Sequence, residues 1–143
     1  MIFIEVIIMV QVYSKNVTVQ PNETFPLNVV IIEKGSTATT SNNSINLNCK
    51  GVYAVDMSAS LTPATSGDIS VQLYKNGVPY APAESKATGT ADAISALSFP
   101  TLIQCSQNNN PCCCCTSPDN LTLVNTSAVA VTGDFTIRVT KIC

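Results

Sequence analysis

The sequence has no histidine and no tryptophan. Without histidine there is no Ser-His-Asp or Cys-His nucleophile and no His-containing metal site. Charge is scarce as well. Asp, Glu, Lys and Arg make up 11% of the chain, against about 25% in ordinary globular proteins. Seven basic residues and a net charge of −2 cannot build the phosphate-neutralising surface of a nucleic-acid binder. Leucine is sparse, and helix signals are weak throughout. No apolar run reaches the roughly 18 residues of a membrane-spanning helix. The first ten residues, MIFIEVIIMV, lack the basic start and small-residue cleavage site of an export signal, and Glu5 interrupts them.

What is present points to strands. The chain is 143 residues long, 45% of them hydrophobic, which suffices for one domain with a real core. Val, Ile and Thr dominate, and β-branched side chains suit a pleated, half-buried surface. No Pro/Gly-rich linker and no internal repeat divides the chain. Turn signals recur at the spacing of an all-β fold. Strands are predicted near 2–13, 25–33, 44–49, 51–61, 68–75, 78–82, 94–104, 120–125 and 133–142. Segments 35–43 and 106–119 read as loops. The apolar segment 1–20 is expected to be a strand or arm that serves as an interface or anchor, ahead of a β-domain over 21–143. A vestigial export signal and a membrane-touching segment are the competing readings of its start.

The best-defined strand is Gly51–Leu61. Tyr53, Val55, Met57, Ala59 and Leu61 share one face, and Val52, Ala54, Asp56, Ser58 and Ser60 share the other. Such a period of two with one wet face belongs to an antiparallel sandwich. Ile69, Val71 and Leu73 repeat it, as do Phe135, Ile137 and Val139. Asn76-Gly77 tolerates positive φ at both central positions of a type I′ turn, so a tight hairpin is predicted there. Residues 90–97 fit one helical turn or the start of a strand. Together these segments predict an all-β, two-sheet antiparallel jelly-roll sandwich. An immunoglobulin-like sandwich is second, because it lacks its Cys…Trp…Cys signature here.

Seven cysteines carry the most unusual chemistry: Cys49, Cys105, Cys112, Cys113, Cys114, Cys115 and Cys143. Consecutive residues of an extended chain point alternately to opposite sides. One tetrahedral metal therefore cannot collect Cys112–Cys115 without a sharply folded loop. Three readings stand: disulfides within or between chains, a metal shared by several chains at a symmetry axis, and reduced thiols packed as small apolar groups. An odd count leaves at least one cysteine outside any set of intrachain bridges. A catalytic cysteine would need a neighbouring base or a lowered pKa. Asp56 and Asp68 read as solvated or turn-forming, although a carboxylate pair for glycoside hydrolysis is a spatial motif that sequence does not test. Asp119 and Asn120 are Ca²⁺ ligands by type only. Five N-x-[ST] matches, at Asn16, Asn22, Asn42, Asn120 and Asn125, are compositional in so Asn-, Ser- and Thr-rich a chain. No catalytic residue, metal site or cofactor is assigned.

The runs GVYAVDMSAS, GDISVQLYKNGVPY and FTIRVTKIC resemble the C1q/TNF-like trimeric jelly roll. Val29–Cys143 further resembles small proteins of phages and prophages of gut Firmicutes. The matching pieces are Lys34–Thr37, Asn48–Tyr53, Gln72–Gly77, Cys112–Pro118 and Thr140–Cys143. The resemblance implies a homotrimer and a non-enzymatic role on a virion surface: capsid decoration, head fibre or fibre knob. Its implied partners are its own copies, capsid or fibre proteins and host or mucosal glycans, with no nucleic acid and no membrane span. The alternative is a disulfide-cross-linked subunit of a bacterial or spore-surface fibre.

Overall fold

The computed structural model describes residues 8–33, 38–49, 51–105 and 119–142. Ten strands follow in order: β1 (Ile8–Val19), β2 (Val29–Glu33), β3 (Ala38–Ser41), β4 (Ser44–Leu47), β5 (Gly51–Pro63), β6 (Gly67–Lys75), β7 (Val78–Gly89), β8 (Ser95–Cys105), β9 (Asp119–Asn125) and β10 (Val131–Lys141). They form two five-stranded sheets, ordered β2-β1-β10-β5-β8 and β3-β4-β9-β6-β7. Every pairing is antiparallel. The fold is an all-β two-sheet jelly roll.

Alternation builds the core. Tyr53, Val55, Met57, Ala59 and Leu61 of β5 are buried, as are Ile69, Val71 and Leu73 of β6 and Phe135, Ile137 and Val139 of β10. Both sheets turn these faces inward, which removes apolar area from water at about 25 cal/mol per Å². Phe25, in the β1–β2 connection, meets Phe135 edge-on with ring centroids 5.2 Å apart, adding about 1 kcal/mol beyond area burial.

β1, β3 and β7 differ most from the sequence reading, and β2 begins at Val29 where the sequence predicts a strand from 25. β1 runs to Val19, because a register shift between Ser14 and Val17 carries the polar Lys15-Asn16 pair within the strand. Asn16 takes φ 53° there, and its N–H donates to Asp134 Oδ1 at 2.9 Å. β3 lies in a segment read as loop, where ATTS has no apolar alternation and forms by pairing with β4. β7 continues past Pro82 to Gly89. It is the last strand of its sheet, so Pro79 and Pro82 can sit there without breaking a ladder on both sides.

The strand directions give the sandwich two distinct ends. At one, Ile8 of β1 lies opposite Thr140 of β10, Lys141 opposite Tyr53, and Gly51 opposite Cys105. The second sheet reaches the same end through Lys75, whose ammonium donates to Gln104 O at 3.2 Å. The chain thus enters β1 and leaves β10 at this end, called the base below. The connections β1–β2, β5–β6, β7–β8 and β9–β10 lie at the opposite end.

Candidate interaction surface

The outward face of the first sheet is built from small side chains. Across β8, β5 and β10 the rows read Ala96, Ser60, Asp134, then Ser98, Ser58, Thr136, then Pro100, Asp56, Arg138. These residues fall on the outward face because their neighbours Leu97, Phe99, Ala59, Met57, Phe135 and Ile137 fill the core. The first two rows border a shallow groove of about 370 Å³. Charge is limited to a half-exposed Asp56–Arg138 pair at 3.9 Å and to Asp134, already engaged by Asn16. The first two rows, all Ala, Ser and Thr but for Asp134, let another surface approach closely and have little charge to desolvate.

The face runs into an apolar edge. Leu102 of β8 is 57% exposed. Beside it, Tyr80 of β7 donates its hydroxyl to Leu102 O at 2.7 Å, which ties the edge strands of the two sheets together. Tyr80, Pro82, Pro100, Leu102, Ala54 and Asp56 line a second groove of about 530 Å³. Asp56 and Pro100 of the third row also line this second groove, so face and edge form one continuous surface.

The outward face of the second sheet is different. Asp68, Ser70, Lys86, Thr88 and Thr126 border a polar groove of about 620 Å³. Its hydroxyls satisfy one another: Ser70 and Thr126 are 2.6 Å apart, and Ser127 Oγ donates to Ser70 O. Lys86 Nζ lies 2.9 Å from Glu84. That hydrogen bond, with the carboxylate's charge behind it, raises the Lys86 ammonium above its ordinary value. This is a wet, self-satisfied face with no convergent acid and base.

Cys49 and Cys105 are both buried, at 3% and 2% exposure, and both lie at the base. Cys49 follows β4 of the second sheet, and Cys105 ends β8 of the first. The Cys49 carbonyl accepts the buried Tyr53 hydroxyl at 2.8 Å, which ties Cys49 to β5. Cys112, Cys113, Cys114, Cys115 and Cys143 lie outside the described residues. Asn76 and Gly77 make the β6–β7 turn with φ of 55° and 79°. Asn76 does more than turn the chain. Its amide donates to buried Asp119 at 2.9 Å, and its carbonyl oxygen accepts the Asn120 N–H at 2.8 Å. Lys75 Nζ approaches the other Asp119 oxygen at 3.7 Å. The Asn120 side chain is turned to Asn46 at 3.0 Å. Asp119 and Asn120 are therefore spent on amide and ammonium partners and do not converge on a cation. Among the described residues no group of three or more Cys, Asp or Glu side chains gathers as a metal site would require.

The N-x-[ST] asparagines have conformational reasons to be asparagine. Asn16, Asn22 and Asn42 hold positive φ, which Asn tolerates better than most residues. Asn125 is fully buried. Asp56 and Asp68 are half-exposed and exposed, on outward faces. The continuous surface of Leu102, Tyr80 and the small-residue rows escaped the sequence reading. Its signal was available in the Ser and Ala positions of β5 and β8, but only pairing shows that they form rows.

The globular domain of zebrafish complement 1qA protein superposes with a TM-score of 0.66 at 9% identity, over 93% of this chain and 94% of that one. Eiger TNF from S. frugiperda gives 0.68 at 12% identity, over 95% and 94%. PRD1 vertex protein P5 gives 0.57 at 14% identity, over 95% and 99%. At these identities the likeness is one of fold: the C1q/TNF-like jelly roll. No family model matches the sequence, and no curated protein matches it. Among the described residues no helix is long and apolar enough to cross a membrane.

Proposed function

We propose that this chain is a non-enzymatic structural protein of a phage virion surface, acting as capsid decoration, head fibre or fibre knob, and that it works as a homotrimer. The observation that carries the reading is the continuous surface formed by the small-residue face and the Leu102–Tyr80 edge. A threefold arrangement lets the edge of each copy pack on the face of the next, so that all three surfaces are covered and the ring closes. The C1q/TNF-like fold supports this reading, and the similarity to a vertex protein is in keeping with a virion role. The gut Firmicutes phage affiliation rests on the sequence pieces alone. Loops at the end away from the base are the candidate contacts for host or mucosal glycans, and the base is the candidate attachment to capsid or fibre proteins.

The cysteines favour a second reading, a disulfide-cross-linked subunit of a bacterial or spore-surface fibre. Cys49 and Cys105 lie at the end where the chain enters and leaves but are buried, so cross-links between chains fall to the five cysteines outside the described residues. Native mass with and without reductant separates the two. A trimer that survives reductant supports packing around a threefold axis. A ladder of sizes that collapses to the 15.1 kDa chain on reduction sinks the closed trimer. Ser58→Arg, which places a long cation in the middle of the face, is expected to give a folded monomer with an unchanged circular dichroism spectrum. Immunogold labelling of intact particles then tests the virion location.

A further inference from the structure

We propose that the apolar segment preceding β1, residues 1–7, adds as a strand to the outer edge of β2 in a second copy of this chain. Among the described residues β2 ends its sheet and is paired on one side only, with β1. Its first residues are consecutive exposed hydrophobics: Val29 at 40%, Val30 at 41% and Ile31 at 52%. An edge of this kind is a template for strand addition, and proteins usually blunt it with Lys, Pro or brevity. The other sheet edges here are blunted. β7 carries Glu84, Lys86 and two prolines, β8 carries Pro100, and β3 is a four-residue polar strand. β2 carries no charge before Glu33, and the register shift beside Ile31 leaves one more apolar side chain in water.

The occupant follows from direction and composition. Residues 1–7 read MIFIEVI, with Glu5 their one charged residue, so they match the apolar strip on β2. They lead straight into β1 at the base, where Val10 lies opposite Glu33, the last residue of β2. To reach the outer edge of β2 in its own copy, the segment would have to cross the end of that strand. The crossing spans two strand spacings, about 10 Å, and uses about three residues as connection. What remained would run parallel to β2, the less stable pairing. A second copy requires no reversal: a chain running on past Ile8, away from β1, would meet the neighbour's β2 from outside. The proposal concerns the arm and β2, and it does not depend on the trimer surface.

Hydrogen exchange read by mass spectrometry tests it. In the full chain at micromolar concentration, amides of 29–33 are expected to exchange at least about tenfold more slowly than in a chain lacking residues 2–7. Ile31→Lys in the full chain is expected to exchange as fast as the truncated chain. Mixing the two variants is decisive. The truncated chain keeps an intact edge and the Ile31→Lys chain keeps an arm, so protection must return to the truncated chain's β2 and not to the other's. Unchanged exchange on truncation overturns the proposal. So does protection that persists on dilution to nanomolar, which places the arm in its own copy, and so does protection that appears only with phosphatidylcholine vesicles, which assigns the arm to a membrane surface. Native mass of the truncated chain reports separately on the trimer, which is expected to persist.

Discussion

Single residues hold the far end of this sandwich together. Asn125 is the clearest case. It is fully buried, and its amide donates to Val19 O at 3.0 Å, Gln20 O at 3.3 Å and Val129 O at 3.2 Å. Its side-chain oxygen accepts the Ser127 N–H at 3.0 Å. One side chain thus fastens the end of β1 to the β9–β10 connection. Asn125→Ala takes this donor from the Val19 and Val129 carbonyls and the acceptor from the Ser127 N–H, while Gln20 O keeps the Glu23 N–H, and is expected to cost about 3 kcal/mol in urea unfolding. Asn125→Asp is expected to cost more at neutral pH, because a buried carboxylate would face three carbonyl oxygens. The N-T-S pattern at Asn125 is legible as a motif, but its bonding is not, since two of its partners, Val19 and Gln20, lie more than a hundred positions away. Gly133 shows the same limit. It lies opposite Leu61 of β5 and Val17 of β1, and an added Cβ would overlap the Ser60 carbonyl. The obstacle is backbone, which cannot rotate aside. Gly133→Ala is therefore expected to destabilise by about 3 kcal/mol in the same measurement, in the upper range for overpacking.

At the level of strands, legibility followed side-chain alternation. β5, β6 and β10 are buried on one face and wet on the other, so a period of two shows in their sequences and their inward residues were readable. β3 was invisible because ATTS contributes only Ala38 to the core, and tertiary pairing, not propensity, makes it a strand. β7 was cut short because Pro82 reads as a stop, and nothing in the sequence says that the strand is an edge. Tyr80 shows what that edge does. Its hydroxyl reaches Leu102 O at 2.7 Å and, with the Ser98 N–H donating to Ser85 Oγ at 3.2 Å, joins the outermost strands of the two sheets. Tyr80→Phe retains the ring and removes the bond. A loss of about 1 kcal/mol is expected in urea unfolding, with faster amide exchange confined to β7 and β8. Uniform acceleration across both sheets would mean that the bond is not a local tie.

The molecule as a whole combines low charge with an outward face whose first two rows carry a single charged residue, Asp134. The charged residues in the rows are Asp134, Asp56 and Arg138. Asp56 and Arg138 are about half exposed at 3.9 Å, a pair worth little in water. An assembly built on this surface is therefore held by close packing and apolar burial, which salt does not screen. The expectation is specific: the native mass of the full chain stays that of a trimer from about 0.05 M to about 1 M salt, over which the screening length falls from above 10 Å to about 3 Å. Sulfate, which is excluded from protein surfaces, should strengthen the association. A trimer that dissociates as sodium chloride rises would place the contacts on charged groups, and so on the Lys86, Glu84 and Asp68 side of the sandwich. Those charges stand on the opposite sheet, so the salt titration separates the two faces without any substitution. It also bears on the role. If the proposed virion role holds, packing must keep the assembly together across the ionic strengths met outside a cell, and the Leu102–Tyr80 edge against the Ser58 face is the contact that this titration tests.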